Sequence, residues 1–257
     1  MPLNYHMEDL IGFGVSAGLT LTFYYLNRSG QEVVRCLKET PEYDIDHNLI
    51  RVVQNSGGAV EGCVRGAVKA CDTPLSTQTT AGVYGVYRRR CIKKHIKTKD
   101  MGGWWSRREP LSTSIDSVPF MLMRKGVGVQ VTEPTLLETV DLSVVSDRFE
   151  SANMPFLAQM SGWMRKERTT GFQHVEEMLL EGMSVLGVGR VVLGGEGLCL
   201  HPSNTLPYII TTRTKECLIE DLQAPLPYYQ LLGVLAALGG AYFIFRICKQ
   251  LRRKRNK

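Results

Sequence analysis

Seven cysteines carry the most versatile chemistry in this chain, since thiolates bind zinc, form disulfides and act as nucleophiles. No two of them stand in a Cys-x-x-Cys arrangement, so the sequence predicts no zinc ribbon, RING finger or thioredoxin-type site. Two interpretations remain open: the cysteines are small apolar residues in a reducing compartment, or one pair forms a disulfide. They lie at positions 36, 63, 71, 91, 199, 217 and 248.

Other candidates for catalysis are few. Cys199 and His201 stand two residues apart, as on one face of a strand, but no third group that would orient the histidine is identifiable. Glu176 and Glu177 lie in a helical pattern and would point about 100° apart, so they form no acid/base pair. Gly187-Val-Gly189 lacks the third glycine of a dinucleotide-binding loop. We therefore expect neither a catalytic site nor a bound cofactor or metal within these residues.

Two uncharged runs stand near the ends of the chain, at Leu10 to Leu26 and at Tyr228 to Phe245. At about 1.5 Å per residue the second run makes a helix about 27 Å long, close to the thickness of a bilayer's hydrocarbon. A cleaved signal peptide fits the first run poorly, because Glu8 and Asp9 precede it where a signal needs positive charge. We expect transmembrane helices at 10–26 and 228–245.

Small residues spaced one helical turn apart lie inside both runs: Gly14 with Gly18, and Gly233 with Ala237. This spacing predicts close contact between membrane helices. A basic tail at 246–257 follows the second run, and the positive-inside rule places it in the cytosol together with the N-terminus. The tail residues that we expect at the membrane surface are Arg246, Lys249, Arg252, Arg253, Lys254 and Arg255.

The middle of the chain is nearly neutral, with 24 Lys/Arg against 23 Asp/Glu between positions 28 and 222. This balance argues against nucleic acid as a partner, because phosphate binding needs a basic face. A local basic run from Arg88 to Lys97 is either a solvated strand face near the membrane or a patch for lipid headgroups or nucleic acid. Trp104-Trp105 is either a membrane-interface anchor or an aromatic pair in the core.

β-branched residues between glycines predict a series of short strands in this middle region. Because the connections are short and show no helical crossovers, we expect a β-rich, mainly antiparallel α+β domain at 30–222, between the two membrane helices. The predicted strands are 49–53, 59–68, 83–96, 118–123, 127–131, 140–145, 185–192, 198–200 and 208–212, the predicted helices are 173–180 and 214–222, and 148–170 is predicted as a loop with helical turns.

Several short motifs follow one another between the two uncharged runs. They are Glu61-Gly62, Pro74-Leu75-Ser76, Val118-Pro119-Phe120, Gly126–Val131, Glu176–Leu179 with Gly182, and Gly187-Val-Gly189. The order of these pieces resembles the membrane-anchored ubiquitin-ligase family of the mitochondrial outer membrane known as mitochondrial ubiquitin ligase activator of NF-kappa-B. In that family two spans bracket a domain called BAM or GIDE in the intermembrane space, and a cytosolic RING finger binds zinc and recruits the ubiquitin-conjugating enzyme.

The resemblance implies a multi-pass protein of the mitochondrial outer membrane, with both termini cytosolic and the central domain in the intermembrane space. The eight zinc ligands of a RING finger are missing before Lys257, so we expect a non-catalytic or truncated form. Its expected partners are the lipid bilayer and full-length family members or ligase substrates, with a ubiquitin-conjugating enzyme only if a RING is present. The alternative hypothesis is an unrelated membrane-anchored β-rich enzyme or lipid-handling domain.

Overall fold

The computed structural model of the protein describes residues 4–77, 82–100, 103–152, 167–195 and 197–255. The chain divides into two compact units, of which one comprises Pro41–Arg213 and the other both ends of the chain, up to Thr40 and from Thr214. Helices at both ends and strands in the middle confirm the predicted α+β class. The helices are α1 (Asn4–Glu39), α2 (His47–Asn55), α3 (Lys215–Gln223) and α4 (Leu226–Arg255).

The unit formed by the two ends consists of helices α1, α3 and α4. Helix α1 continues well beyond Leu26, because the polar residues that follow pair one turn apart, as Arg35 does with Glu39 at 3.0 Å, until Pro41 prevents continuation. Helix α3 begins at the predicted position, where the Thr214 side chain accepts a hydrogen bond from the Cys217 amide. Helices α1 and α4 are both long and apolar enough to cross a membrane.

The middle unit contains all the strands of the described chain, arranged in two sheets. Most neighbouring strands pair antiparallel, as predicted, with three parallel exceptions, β1 with β2, β7 with β12 and β8 with β13. The strands are β1 (Glu42–Asp44), β2 (Ala59–Ala70), β3 (Leu75–Ser76), β4 (Tyr84–Asp100), β5 (Gly103–Ser117), β6 (Phe120–Arg124), β7 (Val127–Val131), β8 (Thr139–Val140), β9 (Ser143–Ser151), β10 (Glu167–Leu180), β11 (Ser184–Gly194), β12 (Gly197–His201) and β13 (Ile209–Thr211).

The first sheet has eight strands in the order β1-β2-β6-β7-β12-β11-β13-β8. Strand β2 also pairs with β11, so β2, β6, β7, β12 and β11 form a closed ring. The predicted hairpin of β6 and β7 is confirmed, and its turn residues Lys125 and Gly126 both adopt the positive φ angles that a tight hairpin turn requires. Alternate residues such as Phe120, Leu122 and Val129 are buried in the main hydrophobic core.

The second sheet is an open antiparallel ladder in which β4 and β10 lie between the edge strands β5 and β9, and the short β3 joins β4. The predicted strand at 83–96 is confirmed as part of β4, which is 17 residues long. Almost every residue of the edge strand β5 is half-buried or exposed. Strand β5 therefore adds little apolar surface to the core, whereas Val86 on β4 and Leu179 on β10 are fully buried in it.

The predicted strand at 49–53 is wrong, because these residues belong to helix α2. The Asp46 side chain caps that helix by accepting hydrogen bonds from the amides of Asn48 and Leu49. Leu49 and Val53 lie one turn apart and are both buried, so the run of apolar residues has a helical period.

The predicted helix at 173–180 is also wrong, because these residues lie in strand β10. Strands β4 and β9 flank β10 on either side and pair with its backbone along most of its length. A short apolar run fits both periods, and tertiary pairing decided for the strand. The predicted loop at 148–170 is partly strand, since β9 reaches Ser151 and β10 begins at Glu167, while positions 153–166 lie outside the described residues.

Candidate functional site

Helices α1 and α4 contact each other through small residues. A Cβ atom placed on Gly12 would lie 2.6 Å from the ring of Phe243, and one on Gly240 would lie 3.5 Å from the side chain of Ser16. On Gly233 it would lie 3.5 Å from the Cβ of Phe23. Of the small residues predicted above, Gly233 is part of this interface.

The predicted Gly14 and Gly18 face lies elsewhere, because a Cβ atom at either position would meet no atom within 4 Å. Gly233 and Ala237 line a cleft of about 430 Å³ between α1 and α4, together with Thr20 and Phe23. Both pairs of small residues therefore keep surface on which a further helix can pack. Their use in helix association stays a prediction.

Asp9 and Arg246 join the two helices at the end where the chain starts and the basic tail begins. Arg246 Nη1 lies 3.2 Å from Asp9 Oδ1, and the Asp9 side chain is only 3% exposed. The sequence analysis missed this ion pair, although one charge precedes the first uncharged run and the other follows the second. Antiparallel helices of matched length bring such charges together. Lys249 and Arg252 are exposed, and the membrane-surface role of the tail residues stays a prediction.

A groove of about 430 Å³ lies on one face of the second sheet. Cross-strand register places Ser114, Arg90, Glu176 and Ser146 in one row. Arginine, histidine and serine side chains share its walls with two glutamates and with apolar side chains, so the groove offers both hydrogen-bond donors and acceptors. The polar side chains that line it are Arg90, Ser112, Ser114, Ser146, Arg148, Glu150, His174 and Glu176.

The basic run at the start of β4 is largely paired within the second sheet. Arg88 Nη2 lies 2.9 Å from Asp116 Oδ2, and Arg90 Nη2 lies 3.1 Å from the same oxygen. Arg89 Nε lies 2.7 Å from Glu177 Oε2 on the opposite face. These pairs explain why the first part of the basic run adds little net charge to the surface.

No catalytic constellation comes together at the positions that the sequence suggested. Cys199 and His201 share strand β12, and the Cys199 thiol contacts only the Gly197 carbonyl, at 3.9 Å, among the hydrogen bonds of the described residues. Glu176 and Glu177 are adjacent on strand β10 and so point to opposite faces. Within the described parts of the chain, no three His, Cys, Asp or Glu side chains form a cluster that could hold a metal ion.

The cysteines differ from the expectation of small buried residues. All seven are free, which speaks against the disulfide alternative, and only Cys63 is buried. Cys71, Cys217 and Cys248 are exposed. Although Cys71 is exposed as a residue, partial desolvation of its sulfur and the neighbouring Asp72 raise the pKa of the thiol, which lowers its reactivity as a nucleophile.

Two of the motifs that the sequence analysis quoted have structural roles in the first sheet. A Cβ atom on Gly189 would lie 2.7 Å from the His201 carbonyl oxygen, so this position requires glycine. Glu61 accepts hydrogen bonds from Ser203 Oγ at 2.6 Å and Thr205 Oγ1 at 2.5 Å. These bonds, first that of Ser203, hold the pKa of the Glu61 carboxyl below its ordinary value. The carboxylate thereby anchors the loop after β12.

Comparisons with known proteins agree with this architecture. The family model GIDE, described as E3 ubiquitin ligase, matches residues 90–243. Mitochondrial E3 ubiquitin protein ligase 1 of Drosophila melanogaster is 29% identical over 230 residues, which is 88% of this chain and 68% of that protein. Mitochondrial ubiquitin ligase activator of nfkb 1 of Xenopus laevis is 27% identical over 251 residues, covering 93% and 70% respectively. The Homo sapiens protein named mitochondrial ubiquitin ligase activator of NFKB 1 is 23% identical over 250 residues, covering 93% and 71%. No solved structure matches.

A β-rich unit inserted between two helices of membrane-spanning length defines the class of this protein. The family match covers more than half of the chain, from strand β4 into helix α4. The chain belongs to the GIDE family of E3 ubiquitin ligases. This membership excludes the alternative that the chain is unrelated to that family.

Proposed function

We propose that this chain acts in protein ubiquitination at the mitochondrial outer membrane, as a membrane-anchored module that binds partners and performs no ubiquitin transfer by itself. The observation that carries the proposal is the GIDE match, which runs without interruption from the second sheet into helix α4. The relatives that align over most of this chain are named mitochondrial ubiquitin ligases or ligase activators. Recruiting a conjugating enzyme is the task of a RING, and residues 1–257 contain no RING motif.

The partners we propose are full-length family members or ligase substrates. Two surfaces support this choice: the open Gly14 and Gly18 face of α1, and the polar groove on the second sheet. Membrane helices pack closely where small residues let their backbones approach. The chain would then modulate ubiquitination by occupying the partners of a catalytic relative.

A reconstituted ubiquitination assay tests the proposal directly. The chain, purified in bilayers, is added to a conjugating enzyme with and without a RING-containing relative. We expect no transfer and no stoichiometric zinc for the chain alone, and a lowered output of the relative when the chain is present. Ubiquitin transfer by the chain alone, or no effect on the relative, would contradict the proposal.

A pair of helix variants locates the contact. Gly14→Leu with Gly18→Leu should relieve the inhibition, because leucine side chains would hold a partner helix away. Val15→Leu with Leu19→Phe adds bulk to exposed positions of the same helix and should leave the inhibition unchanged. Equal effects of both pairs would show that this face is not the contact.

For the topology we propose that both termini face the cytosol and that the middle unit lies in the intermembrane space. The two apolar helices and the seven Lys/Arg of the tail support this orientation. Protease added to intact mitochondria should remove a C-terminal tag and leave residues 60–200 intact. Cleavage within that range before the outer membrane is opened would reverse the orientation.

A further inference from the structure

The outer end of the β4–β5 hairpin presents two large aromatic side chains to solvent. Trp104 and Trp105 are 51% and 65% exposed, so the structure excludes the interpretation of a core pair. An exposed tryptophan leaves most of a large apolar ring in water, a cost that folding alone does not explain. A partner surface that accepts an indole ring would remove this cost.

The two rings lie on opposite faces of the hairpin, and each face also carries basic residues. Register pairs Trp105 with Thr98 and Arg107 with Ile96, so Trp105 and Arg107 share one face. Lys97 pairs with Ser106, which places Lys97 on the other face together with Trp104. We call Lys94, Lys97, Trp104, Trp105, Arg107 and Arg108 the hairpin tip.

The hairpin tip is a local exception to the neutral middle unit. Positions 93–110 carry six Lys/Arg against two acidic residues, Asp100 and Glu109. Glu109 lies 3.1 Å from Arg107, but the Arg107 side chain remains 73% exposed. Unlike Arg88, Arg89 and Arg90, which have acidic partners across the sheet, the tip has an excess of positive charge.

The depth of these residues matches the interfacial layer of a bilayer. Strands rise about 3.3 Å per residue, so Lys97, which pairs with Ser106, lies about 3–7 Å behind the two tryptophans, and Arg107 lies about 7–10 Å behind them. The headgroup layer on each side of the hydrocarbon is about 5–8 Å thick. Indole rings at the hydrocarbon boundary would therefore place the cations at the level of the phosphates, where tryptophan, lysine and arginine are enriched.

We propose that the hairpin tip inserts end-on into the headgroup layer of an anionic lipid bilayer, as an attachment of the middle unit separate from the two helices. The middle unit continues at both of its ends into helices of membrane-spanning length, so it is covalently tethered to any bilayer that those helices cross. Anionic lipid complements the charge of the tip, and the boundary of the hydrocarbon accepts its aromatic rings. The proposal goes beyond the role in ubiquitination and needs only that the chain is anchored.

The full-length chain offers a direct optical test, because its three tryptophans are Trp104, Trp105 and Trp163. In a Trp163→Phe background, emission reports the tip alone. The protein is reconstituted into vesicles of phosphatidylcholine, or of phosphatidylcholine with phosphatidylglycerol, each containing brominated phosphatidylcholine as a quencher. We expect quenching about twofold or more stronger in the anionic vesicles, decreasing as salt is raised.

Two matched pairs of charge-reversal substitutions distinguish an effect of the hairpin tip from an effect of the protein's net charge. Lys97→Glu with Arg108→Glu should return the quenching to the level of neutral vesicles. Lys69→Glu with Arg51→Glu changes the net charge equally at exposed positions outside the hairpin and should leave the quenching unchanged. Far-UV circular dichroism shows that each variant is folded.

Three results would overturn the proposal. Quenching that is equal in both lipids, or insensitive to the tip reversal, would mean that the tip does not recognise anionic lipid. Full access of acrylamide without lipid quenching would place the tip in water. Protection from both quenchers would show a protein cover, such as a second copy. Flotation of the protein with the vesicles measures whether the helices anchor it, independently of the quenching. A hairpin tip that does not insert can therefore be distinguished from a protein that is not anchored.

Discussion

The two sheets of the middle unit are built from the same kind of strand but stabilised by different interactions. In the first sheet the side chain of Phe120 on β6 is completely buried, whereas in the second sheet Ile115 on β5 is 49% exposed. The first sheet closes into a ring around an apolar core, and the second remains an open ladder joined by ion pairs across strands. We therefore expect the ring of the first sheet to contribute more to stability than the edge strand β5, which presents charged and aromatic groups to solvent.

The largest expected effect is that of removing a core side chain from the first sheet. Phe120→Ala should lower the free energy of unfolding by about 3–5 kcal/mol, because it deletes a buried ring and leaves a cavity. Ile115→Ala, the matched apolar truncation on β5, should cost well under about 1 kcal/mol. Denaturant titration in detergent, followed by circular dichroism, measures both. Equal costs would mean that strand β5 is packed as tightly as the first sheet.

In the second sheet, a substitution should lower the free energy of unfolding most where it breaks an ion pair that is shielded from solvent. The Arg88 side chain is 12% exposed and lies 2.9 Å from Asp116 and 3.8 Å from Glu176. Arg88→Met removes the cation beside two carboxylates and should cost about 2–4 kcal/mol. Arg107→Met breaks the exposed pair with Glu109 in the same sheet and should cost less than about 1 kcal/mol. Similar losses for the two arginines would show that shielding is unimportant here.

Adding a methyl group at a closely packed position of the ring of strands should lower the free energy of unfolding by a smaller amount. Gly189→Ala forces a Cβ atom against the His201 carbonyl and should cost about 1–3 kcal/mol. Gly195→Ala lies at the end of the neighbouring turn, where a Cβ atom meets nothing within 4 Å, and serves as the control. Thermal unfolding of both variants checks the prediction. It would be wrong if the control lost as much stability as Gly189→Ala.

The smallest expected effect is the pH dependence of the stability that Glu61 contributes to the first sheet. The lowered pKa of the Glu61 carboxyl means that its contribution is fully present above the ordinary glutamate pKa and is lost as pH falls through the folded-state pKa. Glu61→Gln should therefore lower the melting temperature at pH 7, and the difference from the unmodified chain should shrink as the pH falls below about 4. A difference that is constant over the whole pH range would exclude ionised Glu61 as the cause.

Sequence patterns predicted the elements whose local and tertiary preferences agree. The β6–β7 hairpin has alternating apolar residues on both strands and a Lys125-Gly126 turn, so its structure follows from neighbouring residues. Helix α2 and strand β10 were predicted wrongly because their apolar runs are short enough to fit either period. For α2 the Asp46 cap was an available signal, whereas for β10 only pairing with distant strands decided the outcome.

The candidate surfaces were predictable only in part. Composition indicated a neutral middle unit with a basic run, but the pairing of Arg88 and Arg90 with Asp116 joins residues that are far apart in the chain. The same holds for Asp9 and Arg246, which an antiparallel arrangement of the helices brings together. Contacts between distant residues depend on strand register and helix orientation, and no local period encodes either.

Patterns in the amino-acid sequence already showed two uncharged runs of membrane-spanning length, a β-rich middle and the order of motifs that indicated the family. These properties depend on residue type and on spacing within one element. Two further features became visible in the three-dimensional structure alone. Strand β2 pairs with β11 and so closes the ring, and Trp104 and Trp105 are exposed to solvent instead of lying in the core. The physical reason is that burial is a property of the assembled sheets, since an indole ring is buried only where another element covers it.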